Sequence, residues 1–210
     1  MIYTIGHSTH ELENFLELLK GVGISAIADV RSAPYSRFQP QFNKETLSTS
    51  LSREGIEYVF LGDLLGGRSL DPKDFENNRV VYSRLKSKSS FLQGTERVIS
   101  GSINFKLALM CSEKEPLECH RTLLIAHALD QMGQEMMHIH ADGSLESHSD
   151  AMQRLLRSFK LDEPDLFRSE SELLEEALSR QEKKVAYVND RSTADDDEIE
   201  GLWNSKIGES

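Results

Sequence analysis

The chain has 210 residues, 38% of them hydrophobic, two cysteines and a formal net charge of −11 at pH 7. That is enough for one ordinary domain, or one domain plus an appendage, so its core needs no disulfide staples. Sparse cysteine, no N-terminal apolar signal stretch and no apolar run approaching about eighteen residues point to a soluble, cytoplasmic protein with no membrane partner.

The acidity is concentrated at one end. Residues 160 to 210 carry 7 Lys+Arg against 15 Asp+Glu, a balance of −8, which leaves −3 for residues 1 to 159. Such a tail does not suit non-specific binding to nucleic acid, which depends on neutralising phosphates. A local basic groove in the body remains compatible with it.

In chain order, "MIYTIGH" reads as a strand. In "STHELENFLELLKGVG", Leu12, Phe15, Leu16 and Leu19 recur at helical spacing, and Ser8 stands three residues before Glu11 as a capping box. "ISAIADVRS" predicts a second strand, "NKETLSTSLSREG" a helix and "EYVFL" a third strand. "GDLLGGRSL" reads as loop, and "VVYSRLKSKSSFLQGTERVISGS" as helix broken around Gly94. "NFKLALMC" is a continuous apolar strand of the kind buried on both faces of a parallel sheet. "TLLIAHALDQMG" predicts a helix ending at Gly133.

"EMMHIHADGSLESH" predicts a hairpin turning at Asp142-Gly143. A two-residue turn there pairs Ala141 with Ser144 and His148 with Met137, which puts His138 and His140 on one face and His148 on the other. On that register the three cannot share a metal. His127, inside "LLIAHAL", reads as a core histidine with a hydrogen-bond partner. The expected architecture is an α/β domain over 1–150, a mostly parallel sheet flanked by helices. A helical extension follows over 151–188, then an acidic, solvated tail over 189–210.

In an open parallel sheet, ligands collect beyond the carboxyl ends of the strands. His7, Ser8 and His10 follow the first strand. Asp29, Arg31, Ser36 and Arg37 follow the second, and Cys111 and Glu113 the long one. A short loop then delivers Cys119, His120 and Arg121. Guanidinium groups fit phosphate or carboxylate in two-point geometry, so Arg31, Arg37 and Arg121 suggest an anion. Asp29 and Arg31 could equally pair with one another or cap loops.

Cys119, beside His120 and Arg121 at a helix start, has surroundings that lower a thiol pKa. The cysteine-phosphatase loop is excluded by spacing, because Arg121 follows Cys119 after a single residue. Cys111, Cys119, His120 and His7 are ligand types for a soft metal, but the eight-residue step between cysteines matches no ribbon or finger. No metal or cofactor is expected on that ground. In "YSRFQPQFN", aromatics interleaved with arginine can stack bases or roof a core.

Together, "TIGHS" at 4–8, "DVRSAPYSRF" at 29–38, "YVFLGDLLGG" at 58–67 and "LMCSEKEPLECHR" at 109–121 resemble the bacterial and archaeal domain-of-unknown-function 488 family, over roughly residues 1 to 148. The resemblance implies an α/β domain and a site drawn from His7, Ser8, Asp29, Arg31, Ser36, Cys111, Glu113, Cys119, His120 and Arg121. It brings no established reaction, only a loose association with nucleotides or nucleic acid.

Three functions follow as expectations. The first is an enzyme, a hydrolase or transferase, acting on a phosphate-bearing small molecule or nucleic acid. In it Ser8, Asp29, Arg31, Ser36, Arg37 and Arg121 bind, and His7, Glu113, Cys119 and His120 do the chemistry. The second is a ligand-sensing module that recruits a protein partner through its acidic tail. The third is structural, with "CHR" tying a loop to the sheet.

Overall fold

Apolar runs of period 2 or no period, each followed by a helix-period segment, force a layered arrangement in which strands bury both faces under helices. The computed structural model describes residues 1–189, and the acidic tail expected beyond lies, from residue 190 on, outside the described residues. The strands are β1 (Ile2–Gly6), β2 (Ala26–Asp29), β3 (Glu57–Phe60), β4 (Phe75–Glu76), β5 (Arg79–Val80), β6 (Leu107–Cys111), β7 (Met136–Ile139) and β8 (Leu145–Ser147). Six of them form one sheet in the order β3-β2-β6-β1-β7-β8, parallel throughout except for the last pair. This is the mostly parallel α/β sheet that the alternating pattern predicts.

The helices are α1 (Leu12–Val22), α2 (Lys44–Arg53), α3 (Gly62–Leu65), α4 (Tyr82–Lys86), α5 (Ser89–Asn104), α6 (His127–Gln131), α7 (His148–Ser158) and α8 (Glu170–Val185). Strand alternation sorts the core into two layers. Tyr3, Ile5, Ile27, Ala108 and Met110 face Phe15 and Leu19 of α1 and Leu47 and Leu51 of α2. On the other face Ile2, Ala28, Leu109 and Cys111 meet Leu65, Phe91, Val98 and the apolar run 123–129. The C-terminal helices add Leu155, Leu156, Leu173, Ala177 and Leu178 to that same layer. No helix among the described residues is long and apolar enough to cross a membrane.

Several local expectations are overturned. The Ser8 capping box does not form. The chain reverses sharply after β1, Ser8 takes left-handed backbone at φ 46° and α1 starts at Leu12 without a side-chain cap. "GDLLGGRSL" opens with helix α3 rather than loop, and the small antiparallel pair β4–β5 follows it. The break near Gly94 is absent. Gly94 lies inside a continuous α5 because a β-carbon there would stand 2.6 Å from Leu65 Cγ, so the glycine serves helix packing; the chain turns at Ser87–Lys88 instead. The helix expected over "TLLIAHALDQMG" begins as π-helix, Arg121–Ala126, before α6.

The hairpin β7–β8 forms, but one residue out of the expected register. Met137 pairs with Ser147 and His138 with Glu146, because the turn holds three residues between His140 and Ser144. His148 therefore leaves the strand and starts α7, where its Nδ1 lies 3.1 Å from His138 Nε2. His138 Nδ1 contacts Thr4 Oγ1 at 2.8 Å. His127 is buried as expected but neither ring nitrogen has a hydrogen-bond partner among the described residues; Glu175 Oε1 is 3.7 Å from Nε2.

Candidate functional site

The strand order places the crossover of the fold at β1, β6 and β2, whose carboxyl ends lie side by side. Gly6 is in register with Cys111, and Asp29 with Met110. His7 N–H donates to Cys111 O at 2.9 Å, and Ser8 N–H to Ser112 O at 2.9 Å. The residues expected to converge do reach one edge. They divide there into two clusters, because Asp29 shares the face of Met110 while Cys111 points to the opposite layer.

The first cluster is a closed polar knot. Arg31 donates from Nε to Asp29 Oδ1 at 2.9 Å, from Nη2 to Asp29 Oδ2 at 2.6 Å and to Phe42 O at 2.8 Å, and its Nη1 lies 3.2 Å from His7 Nε2. Tyr58 OH donates to Asp29 Oδ2 at 2.8 Å. Asp29, Arg31 and His7 are all buried. The His7 ring stacks on Phe42 with centroids 4.3 Å apart, and its Nδ1 bonds Ser8 O at 3.0 Å. Since a carbonyl only accepts, Nδ1 carries the proton and Nε2 accepts from Arg31. Burial first, then the Arg31 charge, pull the His7 pKa down to about 4. Burial, with the Asp29 charge beside it, pushes the Tyr58 hydroxyl far up. Arg31 is thus occupied with the protein itself.

The second cluster holds Cys111, Glu113, Cys119 and His120, whose ligand-type atoms all lie within 4.8 Å of one another. His120 Nδ1 is 3.7 Å from Cys111 Sγ and 3.9 Å from Cys119 Sγ, while Cys119 Sγ is 2.9 Å from Glu113 Oε2. Both cysteines are buried and unbridged, and Glu113 is exposed. Burial and contact with Cys119 raise the Cys111 thiol. Burial also disfavours the Cys119 thiolate, yet the bond from Cys111, the Arg121 charge and His120 outweigh it and bring that thiol well below the ordinary range. Although Glu113 is exposed as a residue, its carboxyl turns inward against Cys119, and burial there, then the Cys119 charge, raise it.

Arg121, fully buried, donates from Nη1 to Glu113 O at 2.5 Å and from Nη2 to Lys114 O at 3.2 Å, and its N–H to Cys119 Sγ at 3.4 Å. It fastens the loop that carries Glu113. His120 Nε2 bonds Val30 O at 3.0 Å. Gly67 lies against the imidazole so closely that a β-carbon there would meet His120 Cγ at 2.7 Å.

Of the remaining expected residues, Ser36 organises its own loop: its N–H donates to Asn43 Oδ1 at 2.7 Å and its Oγ accepts from the N–H groups of Phe38 and Gln39. Ser8 is half-buried in the turn after β1, and Arg37 is exposed beside Phe38, which is 85% exposed. A cleft of about 650 Å³ between α1 and the 141–143 turn, lined by His10, Asn14, Lys106 and Asp142, includes none of the expected binding or catalytic residues. Phe42, one of the aromatics of "YSRFQPQFN", is buried in the core, the roofing alternative for that stretch, while Tyr58 and Gly67 fall inside the family stretch "YVFLGDLLGG" but are not among the expected site residues. Tyr58 has a signal, a hydroxyl in the strand next to Asp29, whereas Gly67 has none beyond its place in a glycine pair.

The family model described as Domain of unknown function DUF488 matches residues 11–128, more than half of the chain. The chain belongs to this family. The DUF488 match takes in Asp29, Arg31, Cys111, Glu113, Cys119, His120 and Arg121 and begins just after His7 and Ser8. No curated protein and no solved structure matches the chain.

Proposed function

We propose that this DUF488 chain binds a phosphate-bearing ligand, a nucleotide or nucleic acid, beyond the carboxyl ends of β1, β2 and β6, and acts on it as a hydrolase or transferase. The observation that carries the reading is the loop after β2, where exposed Arg37 stands between Tyr35 and the nearly bare ring of Phe38. Guanidinium forks suit phosphate, and exposed rings suit bases. Anion recognition is assigned to Arg37 because Arg31 and Arg121 are buried and their donors are largely taken by protein oxygens. Chemistry is assigned to the cluster around Glu113, whose exposed position makes it the member that a bound ligand can reach.

The test is thermal-shift screening of nucleotides, phosphosugars and oligonucleotides, since a ligand that binds only the folded state raises its stability. A ligand found for the wild type should lose its shift in Arg37→Ala and Phe38→Ala, with the unliganded melting temperature unchanged. A ligand whose shift survives both substitutions would move the site elsewhere.

A further inference from the structure

Four side chains that the sequence scatters over ten residues meet with their lone pairs facing inward. Two are thiols, one an imidazole and one a carboxylate, the soft and borderline donors that select zinc-class metals over magnesium or calcium. We propose that Cys111, Glu113, Cys119 and His120 form a four-ligand site for a divalent transition metal of the zinc class.

The separations fit. With metal–sulfur bonds of about 2.3 Å and metal–nitrogen bonds of about 2.0–2.1 Å, a tetrahedral centre sets sulfur and nitrogen about 3.6 Å apart. The two sulfur-to-Nδ1 distances are 3.7 and 3.9 Å. The 2.9 Å contact of Cys119 Sγ with Glu113 Oε2 is shorter than a tetrahedral edge. That contact requires a proton between the two groups, and a metal entering the centre displaces it, as metal binding displaces protons from its ligands generally.

The surroundings are those of a ligand set. Because Val30 O only accepts, the bond at 3.0 Å puts a His120 proton on Nε2, so Nδ1 is the nitrogen that faces the sulfurs and, once it is free of a proton, the one that can ligate. Gly67 leaves room for that ring. The Arg121 N–H points at Cys119 Sγ, and the Arg121 guanidinium holds the Glu113 backbone, so the loop ligand is as fixed as the strand ligand. Three ligands are buried or half-buried and the fourth, Glu113, is exposed. A carboxylate at the solvent side is the position from which a water or substrate oxygen can be exchanged.

The eight-residue step between the cysteines, unlike any finger or ribbon, has a topological cause. Cys111 ends β6, Glu113 lies in the loop, and Cys119 and His120 precede the π-helix, so the loop 112–118 folds back over the strand end. Metal binding here stands independently of the phosphate reading.

The full chain, expressed without added chelator and kept reduced, is assayed for metal by plasma mass spectrometry and titrated with cobalt(II). The expected result is about one equivalent of zinc per chain, with cobalt giving visible bands of tetrahedral intensity and sulfur-to-cobalt charge transfer. Cys111→Ser, Cys119→Ser and His120→Ala should each remove most of the metal, and His140→Ala should keep it. Should the cysteine variants unfold, a thiol-blocking mercurial added to the wild type should release its zinc, and zinc retained after both thiols are blocked would rule out thiolate ligation. A folded, reduced wild type that takes up neither zinc nor cobalt, or that forms a Cys111–Cys119 disulfide while ignoring both metals, would overturn the site. So would cobalt spectra without a sulfur charge-transfer band.

Discussion

The two polar clusters at the sheet edge use similar residue types to opposite ends. Around Asp29, donors meet acceptors: the carboxylate takes Arg31 and Tyr58, and Arg31 also reaches Phe42 O and His7. Around Cys119, acceptors and weak donors meet each other, and the nearby Arg121 guanidinium is turned to backbone carbonyls. A closed set of pairs is a scaffold. A set of convergent lone pairs is a site. The face of the sheet decides which is which, since one residue of strand alternation separates Asp29 and Met110 from Cys111.

The largest expected effect follows from the scaffold reading. Asp29→Ala leaves the buried Arg31 charge unpaired and should cost about 3–5 kcal/mol in urea unfolding. A loss below about 1 kcal/mol would mean that the knot does not hold the edge together. Arg31→Ala should be comparably severe, which makes it a poor probe of ligand binding.

Next comes pH. Burial, then the His127 charge, lower His148 to about 4 from an ordinary 6.5. Above pH 6.5 its ring is neutral whether the chain is folded or not. As pH falls from 6.5 towards 4 the unfolded chain binds a proton that the folded chain refuses, so stability drops across that window, by about 3 kcal/mol from this residue alone. His7, also lowered to about 4, and His138 and His127, both lowered by burial first, act in the same direction. His148→Gln should visibly flatten the fall in melting temperature between pH 6.5 and 4. An unchanged slope would show that the buried histidines do not govern it.

Gly94→Ala sets two small effects against each other. Helix propensity favours alanine by about 1 kcal/mol, while the clash with Leu65 costs about 1–3 kcal/mol. Net destabilisation is expected, and a stabilised variant would show that α3 and α5 can move apart. Arg37→Ala, on the exposed rim, should change stability by less than about 0.5 kcal/mol.

Much of the fold is legible in the sequence because strands buried on both faces leave apolar runs such as "KLALMC", and α1 carries a clear helical period. What cannot be read depends on neighbours distant in the chain. Gly94 looks like a break because its reason, Leu65, is nearly thirty residues away. The hairpin slips by one because "HADGS" supports a two-residue or a three-residue turn, and that single step moves His148 to the face of His138.

The candidate residues are found by their place at strand ends, yet their grouping is not. Cys111, Glu113, Cys119 and His120 fall at spacings that belong to no metal motif, and only the fold of loop 112–118 brings them together. Of the two readings left open for Arg31, an anion or Asp29, the pair with Asp29 forms, and what the sequence does not show is the Phe42 carbonyl and the His7 imidazole that complete its surroundings.

The most direct measurement is X-ray absorption at the zinc edge of the full-length, reduced chain loaded with one equivalent of zinc. Two sulfur neighbours at about 2.3 Å and two nitrogen or oxygen neighbours at about 2.0–2.2 Å are expected. A coordination shell of nitrogen and oxygen alone would contradict the four-ligand site.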